Sequence, residues 1–205
     1  MNIVILAAGM GKRMHSRLPK VLQPIAGRPM IDHVLDATEG LSASPRVVVV
    51  GHGAENVMGH LADRSDVAFA LQSPQLGTGH ALRQALGQLD RNESKTLVCL
   101  GDVPLLSRET LAAIASEAEK SDLVLLTVEL DNPTGYGRIL RNKEGFVRAI
   151  VEEKDASPEE RLVREVNTGI MCLPTSRLDG WLSSLKAANA QGEYYLTDVI
   201  GLAAD

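Results

Sequence analysis

A glycine-rich segment near the start of the chain combines small residues with positive charges. It reads Leu6-Ala7-Ala8-Gly9-Met10-Gly11-Lys12-Arg13-Met14 and is followed by Leu18-Pro19-Lys20. Glycines let backbone N–H groups approach a phosphate closely, and Arg13 and Lys20 can neutralise the phosphate oxygens, the first as a planar fork and the second as a point charge. The segment therefore predicts a phosphate-binding loop.

Two familiar phosphate motifs are excluded by single positions of this segment. The dinucleotide pattern G-x-G-x-x-G needs a third glycine where Met14 stands, and the P-loop needs Ser or Thr where Arg13 stands. Considered alone, Gly9 and Gly11 fit two interpretations about equally well: a phosphate-binding loop, or a plain turn beside solvated cations. The prediction of a phosphate loop therefore depends on the combined segment.

Asp102 is the candidate metal ligand. It follows the apolar run 96–101, which predicts a buried strand, so its carboxylate emerges at the same sheet edge as the glycine-rich segment. Mg²⁺ prefers carboxylate oxygens and takes its other ligands from water and substrate phosphates. The alternative is that Asp102 caps the turn before Pro104.

These residues need a scaffold, and the order of apolar runs predicts an α/β fold with a Rossmann-like, doubly wound sheet. Several runs are almost continuously apolar, which indicates parallel strands covered on both faces. Helical spacing predicts helices near 31–41, 81–89 and 108–118, the last with Ser107 as its N-cap. Strands are predicted at 2–8, 46–50, 67–71, 96–101 and 122–130.

The pattern changes after residue 131. Two half-exposed runs around Asn142–Gly145 predict an antiparallel hairpin lid laid against the parallel sheet, which makes the sheet mixed. No repeat or linker divides residues 1–205, so we expect one domain. The remaining predictions are a charged helix at 159–164, a buried strand at 166–174, and closing helices near 176–188 and 194–203.

Composition and charge narrow the function classes. The net charge is −5 and aromatic residues make up 3%, which argues against a general nucleic-acid binder. The first acidic residue is Asp32, whereas five Lys and Arg residues precede it. A small anionic ligand is therefore expected to bind near this cationic N-terminal segment. No apolar run approaches the roughly 20 residues of a membrane span. Cys99 and Cys172 suit free thiols of a cytoplasmic protein.

Seven motifs in one order resemble a known enzyme family. The glycine-rich segment is similar to the L-A-A-G-x-G-x-R-M…L-P-K signature of sugar-1-phosphate nucleotidyltransferases. Within that superfamily, the chain resembles the uridylyltransferase half of the bacterial bifunctional N-acetylglucosamine-1-phosphate uridylyltransferase/glucosamine-1-phosphate acetyltransferases. The other six motifs are Pro74–Ala81, Leu100–Leu105, Gly135–Ile139, Ile150–Ala156, Asn167–Ile170 and Gly192–Asp198.

The resemblance implies a nucleotidyltransferase-type fold and a reaction. UTP and N-acetylglucosamine 1-phosphate would give UDP-N-acetylglucosamine and pyrophosphate with Mg²⁺, a precursor step for peptidoglycan and lipopolysaccharide. By the same resemblance, Arg13 and Lys20 are catalytic and Asp102 holds the metal. The implied nucleotide positions are Leu6, Ala7, Ala8, Gly9, Lys20, Gln72, Gly77 and Thr78. The implied sugar positions are Gly101, Asp102, Gly137, Glu152, Asn167 and Thr168.

The resemblance also bears on the extent of the domain. The hexapeptide repeats that build the acetyltransferase half of the family do not occur in these 205 residues. The uridylyltransferase domain of the family continues to a later Asn that helps to hold the metal. We therefore expect a domain truncated at its C-terminal end, and a homotrimer only together with the acetyltransferase half.

Three alternatives of function stay open beside this prediction. The same chemistry could use another nucleotide or sugar phosphate, or the chain could bind a nucleotide sugar without turnover. An NAD-binding Rossmann domain is the third alternative. It is weakened by the missing third glycine and by Gly51-His52-Gly53, which stands where a ribose-binding carboxylate is expected.

Several single residues also have alternative interpretations. Lys20 could be a solvated surface cation, and Gln72 an exposed residue at a strand end. Glu152 and Glu153 would point to opposite faces of a strand, with Glu153 and Lys154 solvated. Packing or capping of a helix is expected of Tyr194, Tyr195 and Asp198.

Overall fold

An eight-stranded mixed sheet forms the centre of the molecule. The computed structural model describes residues 1–11, 14–16, 18–41 and 45–204. The strands are β1 (Asn2–Ala7), β2 (Pro24–Ile25), β3 (Arg28–Pro29), β4 (Arg46–Val50), β5 (Val67–Leu71), β6 (Lys95–Leu100), β7 (Val124–Glu129), β8 (Arg138–Arg141), β9 (Val147–Val151) and β10 (Glu165–Pro174).

The sheet has a parallel half and an antiparallel half. Parallel strands lie in the order β5-β4-β1-β6, and β10 joins β6 antiparallel. β10 also pairs antiparallel with β7 and β8, and β8 pairs with β9. The short strands β2 and β3 form a separate hairpin. The predicted hairpin is therefore an edge of the main sheet and makes that sheet mixed.

Helices cover both faces of the sheet, as the apolar strands predict. One face packs against α1 (Met30–Ala37), α2 (Ala54–His60) and α4 (Arg108–Ala118). The other face packs against α3 (Thr78–Ala85), α5 (Leu178–Ser184) and α6 (Val199–Ala204). Every residue of β1 is buried because its side chains alternate between these two cores. The doubly wound α/β prediction is confirmed.

Local signals explain two of the helices. Ser107 caps α4, since its Oγ accepts a hydrogen bond from the Thr110 N–H (3.2 Å), as the sequence predicts. Helix α2 was not predicted, because only Val57 of its residues is buried and the apolar periodicity is correspondingly weak.

The predictions for the charged and closing helices need correction. The expected charged helix at 159–164 is a single 3-10 turn, Glu160–Leu162, after which the chain enters β10. The closing helices are shorter than predicted, because Leu185 is extended after α5 and a 3-10 turn at Leu196–Asp198 precedes α6. Tyr194 and Tyr195 lie before that turn and do not belong to a helix.

The remaining expectations concern thiols and the membrane. Cys99 and Cys172 are free and lie in the core, where burial raises the pKa of Cys99 to about 12 and that of Cys172 to about 11. These thiols therefore serve packing. Among the described residues, no helix has the length and apolarity needed to cross a lipid bilayer.

Candidate active site

The parallel strands end together at one edge of the sheet, and the candidate residues follow these ends. Ala7 of β1, Val50 of β4 and Leu71 of β5 are partners in the strand register. Beyond them, the Gln72 N–H donates to the Val50 carbonyl oxygen at 2.8 Å. The loops after these strands therefore meet, which is where open α/β sheets bind their ligands.

The glycine-rich segment packs tightly against Lys20. Gly11 has φ +56°, and a Cβ at this position would lie 2.8 Å from Lys20 Cβ, so both conformation and space require glycine. Lys20 also opens the 3-10 turn Lys20–Leu22, whose other two side chains are buried. Loop and turn together fix the stem of Lys20.

Lys20 and Asp102 form an ion pair across the cleft. Lys20 Nζ donates to Asp102 Oδ2, and the two side chains are 33% and 26% exposed. The N–H of the preceding Gly101 donates to the Leu6 carbonyl oxygen at 2.9 Å. This hydrogen bond holds the turn after β6 against β1 and so places Asp102 beside Lys20. The predicted phosphate-binding lysine and metal-binding aspartate are thus neighbours. Arg13 lies outside the described residues, and its role stays a prediction.

A cavity of ≈ 310 Å³ lies between the glycine-rich segment and the beginning of α3, and is here called the α3 cavity. Small side chains and backbone form much of its wall, with a few polar groups among them, as is usual for small-molecule sites. Its wall includes all eight residues predicted for the nucleotide: Leu6, Ala7, Ala8, Gly9, Lys20, Gln72, Gly77 and Thr78.

Gln72 is buried in the wall of the α3 cavity, with 3% of its surface exposed. The alternative of an exposed strand-end residue is therefore wrong. Its Nε2 donates to the Gly77 carbonyl oxygen at 2.9 Å and lies 3.1 Å from His80 Nδ1. A buried side-chain amide held in this way offers a fixed hydrogen-bonding group to a ligand.

The turn before α3 is held by the segment around Tyr194. Gly77 has φ +104°, and a Cβ there would lie 2.6 Å from the Tyr194 carbonyl oxygen. The Tyr194 N–H donates to the Leu76 carbonyl oxygen (2.8 Å), and the Leu196 N–H donates to Thr78 Oγ1 (3.0 Å). This segment therefore braces one wall of the α3 cavity.

A second cavity of ≈ 500 Å³, the β10 cavity, lies between Lys20, β10 and the segment before β8. It shares Lys20 and Asp102 with the α3 cavity. The wall includes five of the six residues predicted for the sugar: Asp102, Gly137, Glu152, Asn167 and Thr168. The sixth, Gly101, does not line the cavity; it is buried, and a Cβ at this position would lie 3.1 Å from Val21 Cγ1.

An irregularity in β10 turns its residues into the cavity. The register with β7 shifts between Asn167 and Met171. Within this bulge, Gly169 has φ +81° and its N–H donates to Asn167 Oδ1 (3.0 Å), so the Asn167 Nδ2 donors are left to face the cavity. Thr168 Oγ1 donates to the Leu126 carbonyl oxygen (2.7 Å) and anchors the bulge to β7.

Glu152 is a half-buried carboxylate in the wall of the β10 cavity. Thr197 Oγ1 donates to its Oε1 at 3.0 Å. Burial raises the pKa of Glu152, and the nearby Asp198, Asp155 and Glu193 act in the same direction. The protein thus holds a carboxylate in a place that disfavours its charge, which is typical of a functional group.

Glu153 is partly solvated, with 28% of its side chain exposed, and it also forms contacts that the prediction did not include. Its Oε2 accepts hydrogen bonds from Arg138 Nη2 (2.7 Å) and from the Gly135 N–H (3.1 Å). Arg138 is 1% exposed, so its guanidinium is shielded from water. The pair fixes the segment from Gly135 to Gly137 beside the β10 cavity. Lys154, by contrast, is exposed as predicted.

The described residues fit a magnesium ion that is shared with substrate. Asp102 borders both cavities and also a third one of ≈ 1120 Å³ that extends from Gly11 to Lys154. The part of the chain that the structure describes holds no group of three or more His, Cys, Asp or Glu suited to a metal. One carboxylate with substrate phosphates and water is a usual ligand set for Mg²⁺.

Residues 3–167 match the family model of MobA-like NTP transferase domains, which covers most of the chain. The chain belongs to this family. The glycine-rich segment, the Lys20–Asp102 pair and the eight residues predicted for the nucleotide all lie within the matched residues. Glu193 and Thr197, which line the cavities from the other side, lie beyond them.

This NTP transferase domain is similar in sequence to longer bacterial proteins named "Bifunctional protein GlmU". The one from Azoarcus sp. (strain BH72) is 61% identical over 203 residues, which cover 99% of this chain and 44% of that protein. The one from Nitrosomonas europaea is 56% identical over 205 residues, which cover 100% of this chain and 44% of that protein. The chain therefore spans less than half the length of these relatives.

Solved structures of low sequence identity share the fold of the NTP transferase domain. A putative glucose-1-phosphate thymidylyltransferase from Bacillus anthracis has a TM-score of 0.78 at 20% identity, covering 97% of this chain and 80% of that one. A UDP-glucose pyrophosphorylase complexed with UDP-glucose has a TM-score of 0.76 at 17% identity, covering 99% and 86%.

Among the lining residues that sequence reasoning missed are three polar ones, Gln75 and Glu193 in the α3 cavity and Thr197 in the β10 cavity. All three stand inside motifs that carried the family resemblance, so a signal was present. It was not used, because the contribution of each residue depends on contacts between segments that are distant along the chain. Thr197, for example, contacts Glu152 across 45 positions.

Proposed function

We propose that this domain transfers a uridylyl group from UTP to N-acetylglucosamine 1-phosphate, giving UDP-N-acetylglucosamine and pyrophosphate. The observation that carries the proposal is the pair of cavities that meet at Lys20 and Asp102. All eight residues expected to bind the nucleotide line the α3 cavity, and five of the six expected to bind the sugar line the β10 cavity. The similarity to the GlmU proteins supports the choice of substrates.

The reaction itself needs charge neutralisation and positioning. A phosphate oxygen of the sugar phosphate attacks the α-phosphorus of UTP, and the bond to the bridging oxygen of the β-phosphate breaks, so that pyrophosphate leaves. The attacking oxygen is already anionic at neutral pH, and no proton has to move. The barrier comes from bringing two anions together, which cations held in place can lower.

The residues of the α3 cavity would hold the nucleotide. The backbone of the glycine-rich segment approaches the ribose and phosphates, and Gln72 with the turn at Gly77–Thr78 faces the base. Lys20 is placed between the two cavities, where its charge meets the phosphates of both substrates. Arg13 is proposed as a second cation of the transfer.

The residues of the β10 cavity would hold the sugar phosphate. The Glu152 carboxylate accepts hydrogen bonds from sugar hydroxyls, and the Asn167 amide donates to acceptors of the sugar or its N-acetyl group. Thr168 and the backbone of Gly137 complete the wall. Because Glu152 is half-buried, water hydrates its carboxylate incompletely. Hydrogen bonds from the sugar hydroxyls would supply the interactions that are missing there.

Asp102 is the residue proposed to hold Mg²⁺, together with substrate phosphates. When bound, the ion would supply positive charge to the α-phosphate and to the leaving pyrophosphate. Lys20 then exchanges the Asp102 carboxylate for phosphate oxygens. Breaking the Lys20–Asp102 ion pair costs little free energy, because the pair is partly exposed and such pairs contribute little to stability.

The extent and setting of the domain are part of the proposal. We propose that residues 1–205 act as one nucleotidyltransferase unit in the cytoplasm, where nucleoside triphosphates and sugar phosphates are available. A homotrimer is proposed only for a protein that also carries an acetyltransferase half.

The test measures pyrophosphate release by the full chain with Mg²⁺ across a panel of nucleotides and sugar 1-phosphates. We expect the highest kcat/KM for UTP with N-acetylglucosamine 1-phosphate. A clear preference for another pair would reject the substrates. Binding of UDP-N-acetylglucosamine without turnover under any condition would favour a binding module instead.

A further inference from the structure

Three polar side chains in contact extend from the wall of the α3 cavity into the protein: Gln72 in the wall, and His80 and Gln84 behind it. His80 and Gln84 are four residues apart, which puts them on one face at α3. Gln72 Nε2 lies 3.1 Å from His80 Nδ1, and Gln84 Nε2 lies 3.1 Å from His80 Nε2. Both nitrogens of the imidazole therefore face a side-chain amide.

The neutral His80 ring cannot form the same type of hydrogen bond with both amides. His80 is 8% exposed, and burial together with the charge of Arg83 lowers its pKa, which favours the neutral ring. A neutral imidazole has one N–H and one lone pair. It follows that His80 accepts from one of the two amides and donates to the other.

The contacts of Gln72 decide which nitrogen accepts. Its Nε2 lies 2.9 Å from the Gly77 carbonyl oxygen, and reversing the amide would place two oxygens against each other. The corresponding contact of Gln84, to the His80 carbonyl oxygen, is longer at 3.3 Å, and Gln84 is only half-buried. Gln72 therefore donates to Nδ1. The Gln84 amide is accordingly assigned the reverse orientation, in which its Oε1 takes the place of Nε2 and accepts from the Nε2–H of His80.

This arrangement leaves one polar atom of Gln72 for a ligand. Both protons of Nε2 are used, by Gly77 and His80, so Oε1 is the group that remains for the α3 cavity. An acceptor at this position suits the imide N–H of uracil. It repels cytosine, whose ring nitrogen at the same place is itself an acceptor.

We propose that His80, supported by Gln84, is a positioning residue that fixes the acceptor face of Gln72 toward the base and so makes the site select UTP over CTP. The inference rests on the proposed function, in which Gln72 contacts the base. It goes further by assigning the choice of base to a residue that lies behind the contact.

The first test compares the dissociation constants of UTP and CTP by calorimetry in magnesium buffer. His80→Phe keeps a ring and removes the acceptor, and we expect the CTP/UTP ratio of dissociation constants to fall roughly three- to tenfold, the effect of losing one hydrogen bond. His80→Asn keeps an acceptor close to the place of Nδ1, and we expect a ratio within about twofold of wild type. An unchanged ratio in His80→Phe, or a wild type without preference for UTP, overturns the inference.

The second test uses Gln84 and the state of the ring. Gln84→Met removes the acceptor for the Nε2–H at a half-buried position that tolerates the change, and we expect the ratio to fall. Two-bond ¹H–¹⁵N spectra of the wild type should show Nδ1 unprotonated and Nε2 protonated. A protonated Nδ1, or an unchanged ratio in Gln84→Met, overturns the inference.

Failure of the proposed function would be seen separately. Turnover of UTP with N-acetylglucosamine 1-phosphate by the wild type tests the function, whereas the affinity ratio tests the role of His80. Turnover with a ratio that is insensitive to His80→Phe overturns only the inference. A sensitive ratio without any turnover supports the inference and overturns the function.

Discussion

The ion pair between Lys20 and Asp102 is where the two cavities meet, and each residue there has a partner that substrate would replace. The two charges neutralise each other in the ligand-free chain. In the proposed reaction, the phosphates of UTP would bind Lys20 and leave Asp102 free to hold a metal. The pair therefore keeps two opposite charges close together at modest electrostatic cost until substrates separate them.

Replacing Asp102 by Asn keeps the shape of the side chain and removes its charge. We expect kcat for pyrophosphate release to fall by roughly 10²–10³, the usual effect of losing one charge-stabilising group at a transition state. Asp63→Asn, at an exposed position away from the cleft, serves as control and should behave as wild type. Full activity of Asp102→Asn would remove this residue from the mechanism.

Glu152 gives a prediction about pH as well as binding. Because burial raises its pKa, the native state binds this proton more readily than the unfolded chain. Its effect on stability is therefore most favourable at low pH and becomes unfavourable as pH rises from the ordinary range of a Glu carboxyl through the raised pKa. The charged form of Glu152 therefore lowers the stability of the fold at neutral pH.

Glu152→Gln should accordingly make the chain more stable at neutral pH and a weaker sugar-phosphate binder. We expect Tm to rise by roughly 2 °C and KM for the sugar phosphate to rise about tenfold. Glu144→Gln at the exposed hairpin tip is the matched control. A lower Tm together with an unchanged KM would contradict this account of Glu152.

At the scale of elements, the bulge in β10 is what places Asn167 and Thr168 in the cavity wall. Gly169 makes the bulge possible, because it adopts φ +81° and a Cβ there would lie 2.5 Å from Leu100 Cδ1. A regular strand would turn alternate side chains of this stretch toward the opposite face. The sugar side of the site therefore depends on one glycine.

Gly169→Ala should be destabilising through both conformation and contact. We expect the free energy of unfolding in urea to fall by roughly 2–4 kcal/mol. Gly180→Ala is the control, since Gly180 lies within α5, has an ordinary φ and would meet no atom within 4 Å. That substitution should stabilise by about 0.5–1 kcal/mol. Equal stability of Gly169→Ala and wild type would show that the bulge tolerates a side chain.

The elements also show how far the sequence could go. Strands buried on both faces, such as β1 and β4, are specified by local apolar runs and were predicted almost to the residue. Helix α2 and the turn Glu160–Leu162 were mispredicted because tertiary packing decides their length and exposure. In the site, the residues in motifs could be named, whereas the Glu153–Arg138 and Gln72–His80 contacts depend on side-chain geometry that no spacing encodes.

At the scale of the molecule, the cleft is a local departure from the overall charge. The chain carries a net charge of −5, whereas the first five charged side chains of the sequence are all cationic. In the proposed function, this cationic N-terminal segment would attract the anionic substrates. Two cores, one on each face of the sheet, hold the strand ends that form the cleft. Ligand binding should therefore stabilise the whole fold rather than one loop.

Binding of UTP with Mg²⁺ should raise Tm in a concentration-dependent way. At one hundred times the dissociation constant, linkage predicts a gain of about 2.7 kcal/mol in the free energy of unfolding. EDTA should reduce the shift strongly, because Asp102 and the phosphates would hold the metal in the proposed complex. A shift that EDTA does not change would contradict a metal held in this way.

The central claim is that nucleotide and sugar occupy two cavities that meet at Lys20 and Asp102. A crystal structure of the chain with Mg²⁺ and UDP-N-acetylglucosamine tests it most directly. We predict uracil beside Gln72, the sugar beside Glu152 and Asn167, and the diphosphate at the Lys20–Asp102 junction. A ligand bound elsewhere, or one with sugar and uracil in exchanged cavities, would contradict the account.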